Sequence, residues 1–262
     1  MATAPTVAQP WTARRNRASE LASRHSHADE LLRLYLALCE VWEPAWQEAL
    51  VDPPGRSRIA AFAAARVLPG VVEAALEAGP EPLRQAALSR FHEANPEQLL
   101  QAWLDGGELS PVDTFLARAA TAPILEADPK PGLAAAEGDK RHCPACGGLP
   151  QLAYFQPTGD PLLTAPRQLL CSRCSASWSY PRLVCAGCGS DDSPSQPIFA
   201  DVESFPHLRV DACERCRQYL LTVELTKDPA AVPVVDELAG VPLDLYARER
   251  GFSKITANLM GI

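Results

Sequence analysis

Between Ala28 and Val51 the apolar residues Leu31, Leu34, Tyr35, Leu38, Val41 and Trp42 recur at the spacing of one helix face. The pattern predicts an amphipathic helix over 28–51, with Pro44 expected to kink or split it. Residues 57–78 are Ala-rich and apolar on most sides through Ile59, Phe62, Val67, Leu68, Val71, Val72 and Leu76. They predict a central helix interrupted at Pro69-Gly70. Pro80 and Pro82 open a third helix that runs through Phe91. Asn95 is placed to cap a fourth that starts at Pro96 and ends at Asp105-Gly106-Gly107. Ser110-Pro111 starts a fifth, through Phe115, Leu116 and Ala119 toward Leu125. Residues 1–137 therefore read as a compact helical domain.

Past a Pro/Gly/Ala linker at 128–140, DPKPGLAAAEGDK, the period shortens. Strand candidates follow at 152–155, 167–170, 178–184, 198–203, 208–210 and 219–225. An amphipathic helix over 232–250 and a tail, GFSKITANLMGI, close the chain.

Cysteine placement changes this picture most. Of nine cysteines, eight lie between Cys143 and Cys216, all in C-x-x-C pairs: Cys143/Cys146, Cys171/Cys174, Cys185/Cys188 and Cys213/Cys216. A C-x-x-C turn brings two thiolates to one ion, and two such turns complete a tetrahedral four-sulfur shell. Twenty-four residues separate Cys146 from Cys171 and again Cys188 from Cys213, but only ten separate Cys174 from Cys185. The simplest pairing is two successive CxxC-x24-CxxC units, an internal duplication; an interleaved pairing needs strands to cross between units. CPACGG and CAGCGS place Gly after the second Cys, where a positive φ turns backbone N–H groups toward sulfur. CSRCSASW and CERCRQYL lack that Gly, so their turns are expected to be less ideal. Four thiolates suit zinc and iron alike. Cys39, inside LLRLYLALCEVW, reads as a small buried hydrophobe on a helix.

The fold class is thus α+β. An N-terminal all-α helical domain spans 1–139. Two small rubredoxin-like or zinc-ribbon β modules span 140–183 and 184–226, and a C-terminal helix and tail span 227–262. Trp178 and Tyr180 are expected to cap the small ribbon core.

Charge narrows the function classes. The 262 residues are 47% hydrophobic and 21% charged, with a formal net charge of -8. Residues 1–139 carry 12 basic against 19 acidic side chains, and residues 140–226 carry eight of each. This discourages nucleic-acid binding. Apolar runs are too short to span a bilayer, so no membrane insertion is expected. The N-terminus, MATAPTVAQPWTARRNRASE, lacks the apolar core of a secretory or twin-arginine signal, and a cytoplasmic location follows. His25, His27 and His92 read as solvated helix residues. No GxSxG, HExxH or P-loop pattern occurs, which gives no catalytic residue and no enzyme class.

The succession CPACGG, RQLLCSRCSASWSYPRLVCAGCGSDD, RVDACERCRQYLLTVE and DPAAVPVVDELAGVPLDLYARERGF resembles the formate dehydrogenase accessory protein FdhE family. The resemblance covers roughly the last half of the chain; the N-terminal helices match in type and order. It implies a cytoplasmic helper that binds the formate dehydrogenase catalytic subunit and is required for its activity. It also implies a helical domain with two rubredoxin-like metal domains that hold iron. Carried over, Cys143, Cys146, Cys171 and Cys174 would hold one mononuclear ion, and Cys185, Cys188, Cys213 and Cys216 the other, with zinc as the alternative metal. Redox change at iron would then alter each site's charge. Two other readings are a rubredoxin-like electron carrier and a zinc-ribbon scaffold protein. Self-association is left open.

Overall fold

The computed structural model describes residues 11–128, 139–158 and 165–261. Most of the linker at 128–140 lies outside them. The first part is helical: α1 Trp11–Arg24, α2 Asp29–Val51, α3 Ile59–Arg66, α4 Leu68–Ala78, α5 Glu81–Glu93, α6 Pro96–Leu104 and α7 Pro111–Ala127. The caps are those expected. The Asn95 side chain accepts from the Gln98 N–H at the start of α6, and Ser110 accepts from the Asp113 N–H at the start of α7. Cys39 is fully buried on α2, where burial pushes its thiol up to about 12. His92 is exposed on α5.

Pro44 does not split its helix, and the break expected at Pro69-Gly70 falls earlier. α2 runs unbroken through Pro44, with Leu38, Cys39 and Trp42 buried before it and Ala45 and Ala49 after it. The Trp42 indole N–H also donates to the Ala119 carbonyl at 2.8 Å. This packing on both sides outweighs the one backbone bond that proline removes. The second interruption falls at Val67, before Pro69, because proline at the start of α4 occupies a position whose N–H would be unpaired anyway.

The second part is one sheet rather than two separate ribbons. Its strands are β1 Pro150–Phe155, β2 Arg167–Cys171, β3 Ser177–Ser179, β4 Ile198–Phe199, β5 Leu208–Cys213, β6 Gln218–Glu224 and β7 Ser253–Lys254. The order is β3-β2-β1-β6-β5-β4, with β7 alongside β6. β1-β2-β3 and β4-β5-β6 are each antiparallel, and β1 joins β6 in parallel through Ala153↔Thr222 and Phe155↔Glu224. First strand of one unit against last strand of the next is the pairing a head-to-tail repeat makes, so the duplication read from cysteine spacing is visible as topology.

The segment after the sheet forms two helices, α8 Pro233–Ala239 and α9 Val241–Glu249. They part at Gly240, where a Cβ would lie 3.1 Å from the Leu208 side chain. Part of the expected tail is structured as β7, which pairs with β6 at Gln218↔Ser253. Tyr180 is buried with Ala153, Leu169, Ala186 and Leu220 in a small second core, and Trp178 packs on its rim. The protein is therefore α+β, a helical bundle against a mixed sheet.

Candidate metal centres

Three of the four C-x-x-C pairs are tight turns at a strand end, and Cys185/Cys188 turns within the loop between β3 and β4. Cys143 and Cys146 precede β1, Cys171 closes β2 and Cys174 follows it; the second unit repeats this around β4 and β5. In all four turns the residue after the second cysteine donates its N–H to the carbonyl of the first. The bonds are Gly147 to Cys143 at 2.8 Å, Ser175 to Cys171 at 3.2 Å, Gly189 to Cys185 at 2.9 Å and Arg217 to Cys213 at 2.8 Å. That donor has positive φ in every case: 75° and 76° at Gly147 and Gly189, 55° and 57° at Ser175 and Arg217. The turns without glycine thus adopt the same left-handed corner and carry its steric cost.

These turns assemble two four-sulfur clusters, Cys143/Cys146/Cys171/Cys174 and Cys185/Cys188/Cys213/Cys216, each with its sulfurs within 4.8 Å of one another. Close pairs are Cys146–Cys171 at 3.4 Å and Cys143–Cys174 at 3.7 Å in the first. In the second they are Cys185–Cys216 at 3.7 Å and Cys188–Cys213 at 3.9 Å. A tetrahedron built on metal–sulfur bonds of about 2.3 Å has edges of about 3.8 Å. Disulfides would need about 2.05 Å. The donor set fits one tetrahedral thiolate-bound ion per cluster, paired within units and not interleaved. Backbone N–H groups approach sulfur at matching places, Arg173 to Cys171 and Gly187 to Cys185, both at 3.4 Å.

The family description "FdhE, C-terminal domain" matches residues 183–260. A "Protein FdhE homolog" of Aquifex aeolicus is 36% identical over 122 residues, which is 47% of this chain and 42% of that protein. One from Haemophilus influenzae is 34% identical over 117 residues, 45% of this chain and 37% of that protein. The chain spans less than half the length of these two curated relatives. The crystal structure of the FdhE protein from Pseudomonas aeruginosa superposes with a TM-score of 0.68 and 24% identity, covering 95% of each chain. The chain is FdhE-like. The family match lies within its second half, and the likeness of fold runs along nearly all of it.

The two clusters of this FdhE-like chain differ in their surroundings. Every cysteine of the first is at most 2% exposed, whereas Cys188 and Cys216 of the second are half-buried. Arg173, between Cys171 and Cys174, donates to the Trp103 and Leu104 carbonyls at 3.1 and 2.9 Å. Those are the last two carbonyls of α6, and that of Trp103 also accepts from the Gly106 N–H at 3.1 Å. Arg141, two residues before Cys143, donates to the Gly187 carbonyl of the second cluster's first turn at 3.1 Å, and Tyr180 donates to the Cys185 carbonyl at 3.0 Å. Both clusters stand at one end of the sheet, so a single guanidinium ties the turn of one to the approach of the other.

Sequence reading missed the seam between bundle and sheet. Arg17 on α1 is buried and donates through Nε to both Asp236 oxygens at 3.1 and 3.0 Å and through Nη2 to Asp228 at 2.6 Å. His207 meets Asp236 at 2.7 Å. His207, Asp228 and Asp236 lie close enough to hold a metal, but the cation among them is the Arg17 guanidinium. His25 is half-buried and stacks on Phe205 at 5.0 Å, so it belongs to this seam, whereas His27 contacts the Ala239 carbonyl at 2.9 Å and stays exposed, as expected of a solvated residue. A second buried group, Lys254 with Glu237 at 2.7 Å and Asp244 at 3.1 Å, joins β7 to α8 and α9. Only Arg141 and Arg173 carried a signal, their adjacency to cysteines; polar residues on a helix such as α1 give none. A cleft lined by Trp11, Tyr35, Trp42, Cys171, Arg173 and Ser175 among others opens between bundle and sheet beside the first cluster.

Proposed function

We propose that this chain is an accessory protein of formate dehydrogenase maturation. It acts in the cytoplasm, binds the enzyme's catalytic subunit, is required for that enzyme's activity and catalyses no reaction itself. The observation that carries the reading is the pair of four-sulfur clusters on one duplicated sheet docked to a helical bundle, in a chain whose second half is FdhE-like. Cys143, Cys146, Cys171 and Cys174 hold one ion in this reading, and Cys185, Cys188, Cys213 and Cys216 the other. The ion implied by the family resemblance is iron, and zinc is the alternative the same donors accept. Bound metal supplies folding energy, because a bare ribbon buries too little apolar surface to offset its chain entropy. Iron would in addition allow a one-electron change of charge at each centre.

Committing eight thiolates to two ions leaves none of them as a nucleophile, which supports a binding role over a catalytic one. Among the described residues no single helix is long and apolar enough to cross a membrane. The working division is a helical domain at 1–139, ribbon units at 140–183 and 184–226, and a closing segment at 227–262. Limited proteolysis of the metal-loaded protein tests those boundaries.

The functional test is complementation of a bacterium lacking its own FdhE, with affinity capture of the formate dehydrogenase catalytic subunit. Restored formate oxidation and retention of that subunit are expected, and both should be lost in Cys143→Ser. A correctly folded, metal-loaded chain that restores nothing and retains no catalytic subunit refutes the reading.

A further inference from the structure

The repeat makes the two clusters alike in backbone, so their differences come from what packs around them. The first cluster lies under the bundle. Its four cysteines are at most 2% exposed. The Arg173 side chain is pinned to the end of α6 by two carbonyls and lies over the Trp103 ring at 5.3 Å. A Cβ on Gly148 would stand 3.0 Å from the Cys171 sulfur and 2.9 Å from Arg173 Cδ, so backbone and side chain close over that sulfur without a gap. Cys171 borders the cleft between bundle and sheet, yet it is only 2% exposed there.

At the second cluster the contact with a helix end is an exposed one: Arg217, which follows Cys216, donates to the Arg250 carbonyl just past α9 and is itself exposed. Arg215 occupies the place of Arg173 and is exposed. Cys188 and Cys216, one from each turn, are half-buried. At Gly187, the counterpart of Ala145, the near neighbour is the tip of the flexible Gln218 side chain. Arg141, whose guanidinium is itself partly exposed, and Tyr180 reach the carbonyls of this cluster's first turn from the first unit.

We propose that the two clusters do different work. The Cys185/Cys188/Cys213/Cys216 cluster exchanges its metal with external thiolate or aminocarboxylate ligands, whereas the Cys143/Cys146/Cys171/Cys174 cluster keeps its metal as a rivet between sheet and bundle. Associative ligand exchange needs an incoming donor to reach the ion while one thiolate leaves. Cys188 and Cys216 have solvent into which they can swing, and the four buried sulfurs of the first cluster do not. Arg173 adds to the difference, since its side chain holds the end of α6 beside the first cluster. The inference rests on the metal reading above and ranks the two sites within it.

The test uses the full chain loaded with two zinc ions, challenged with an excess of the aminocarboxylate chelator EDTA, with the zinc remaining on the protein measured over time. One equivalent should leave in a fast phase and the second at least about tenfold more slowly. Arg173→Ala should speed the slow phase and leave the fast one unchanged. In the unmutated protein, brief treatment with N-ethylmaleimide followed by peptide mass spectrometry should label Cys188 and Cys216 before any cysteine of the first cluster. This second measurement does not depend on a variant that folds. Release of both equivalents in one phase, or earlier labelling at Cys143, Cys146, Cys171 or Cys174, overturns the ranking while leaving the metal reading intact. A folded chain that takes up no metal overturns both.

Discussion

Replacing Arg17 by alanine should be among the most damaging single changes outside the cysteines. Asp236 is fully buried, and Arg17 is the guanidinium that meets both of its oxygens. Without it the carboxylate keeps only the Val232 N–H at 2.7 Å and His207 at 2.7 Å. Removing one partner of a buried ion pair costs about 3–5 kcal/mol, because the other charge is left without compensation. At a urea dependence of about 2–3 kcal/mol/M, that loss lowers the unfolding midpoint by roughly 1–2 M. Arg17→Met separates charge from packing by retaining an apolar stem. Arg17→Met combined with Asp236→Asn removes both charges and keeps an acceptor for Val232, so the pair should be closer to the unmutated protein than Arg17→Met alone. Urea unfolding of the metal-loaded protein, followed by circular dichroism, reads these three variants and Asp236→Asn alone. A loss below about 1 kcal/mol in Arg17→Ala, or a double variant that merely adds the two single effects, would refute the argument.

Three further outcomes follow from the same geometry. Ser175→Gly should stabilise the metal-loaded protein by about 0.5–1 kcal/mol in chemical denaturation, since relief of the left-handed corner exceeds glycine's added chain entropy; a loss would show that the serine side chain matters more than its φ. At Asp228 burial acts to raise the carboxyl, but the hydrogen bond and charge of Arg17 outweigh it and hold the group below its ordinary 3.8. Its contribution to stability is therefore present above that pH and lost as pH falls through the lowered value, so Asp228→Asn should be less stable than the parent near neutrality and converge with it in acid. Cys143→Ser should reduce bound metal, measured by elemental analysis, from about two ions per chain to about one.

The fold was legible where a residue's type dictates its backbone. The C-x-x-C turns, the Asn95 and Ser110 caps and the β2, β5 and β6 strands all lie close to where pattern and spacing put them. Pairing within units followed from the repeated interval. What could not be read was anything made by residues acting against their usual environment. α1 buries Arg14 and Arg17 alongside Trp11, Ala18 and Leu21, so its inward face does not register as apolar. Lys254, at the end of the chain, is buried between two carboxylates and turns an expected tail into a strand. The parallel joint of β1 to β6 was equally silent, because the two strands are far apart in sequence and neither encodes its neighbour. The burial of the first cluster depends on its contact with α6, and no local motif announces that packing.

The head-to-tail sheet has a consequence for assembly between molecules. A joint that pairs the first strand of one unit with the last strand of the next is heterologous, and it does not close on itself. The free first strand of the second unit, β4, could in principle receive β3 of another molecule by the same rule, and the product would be an open filament. The chain limits that outcome by length: β4 has two residues and β3 has three, against six in β1 and seven in β6. Edges this short offer too few ladder bonds to template a neighbour. Lengthening β4 by even a few residues of β-branched sequence would turn the duplication that builds this protein into a polymerisation signal.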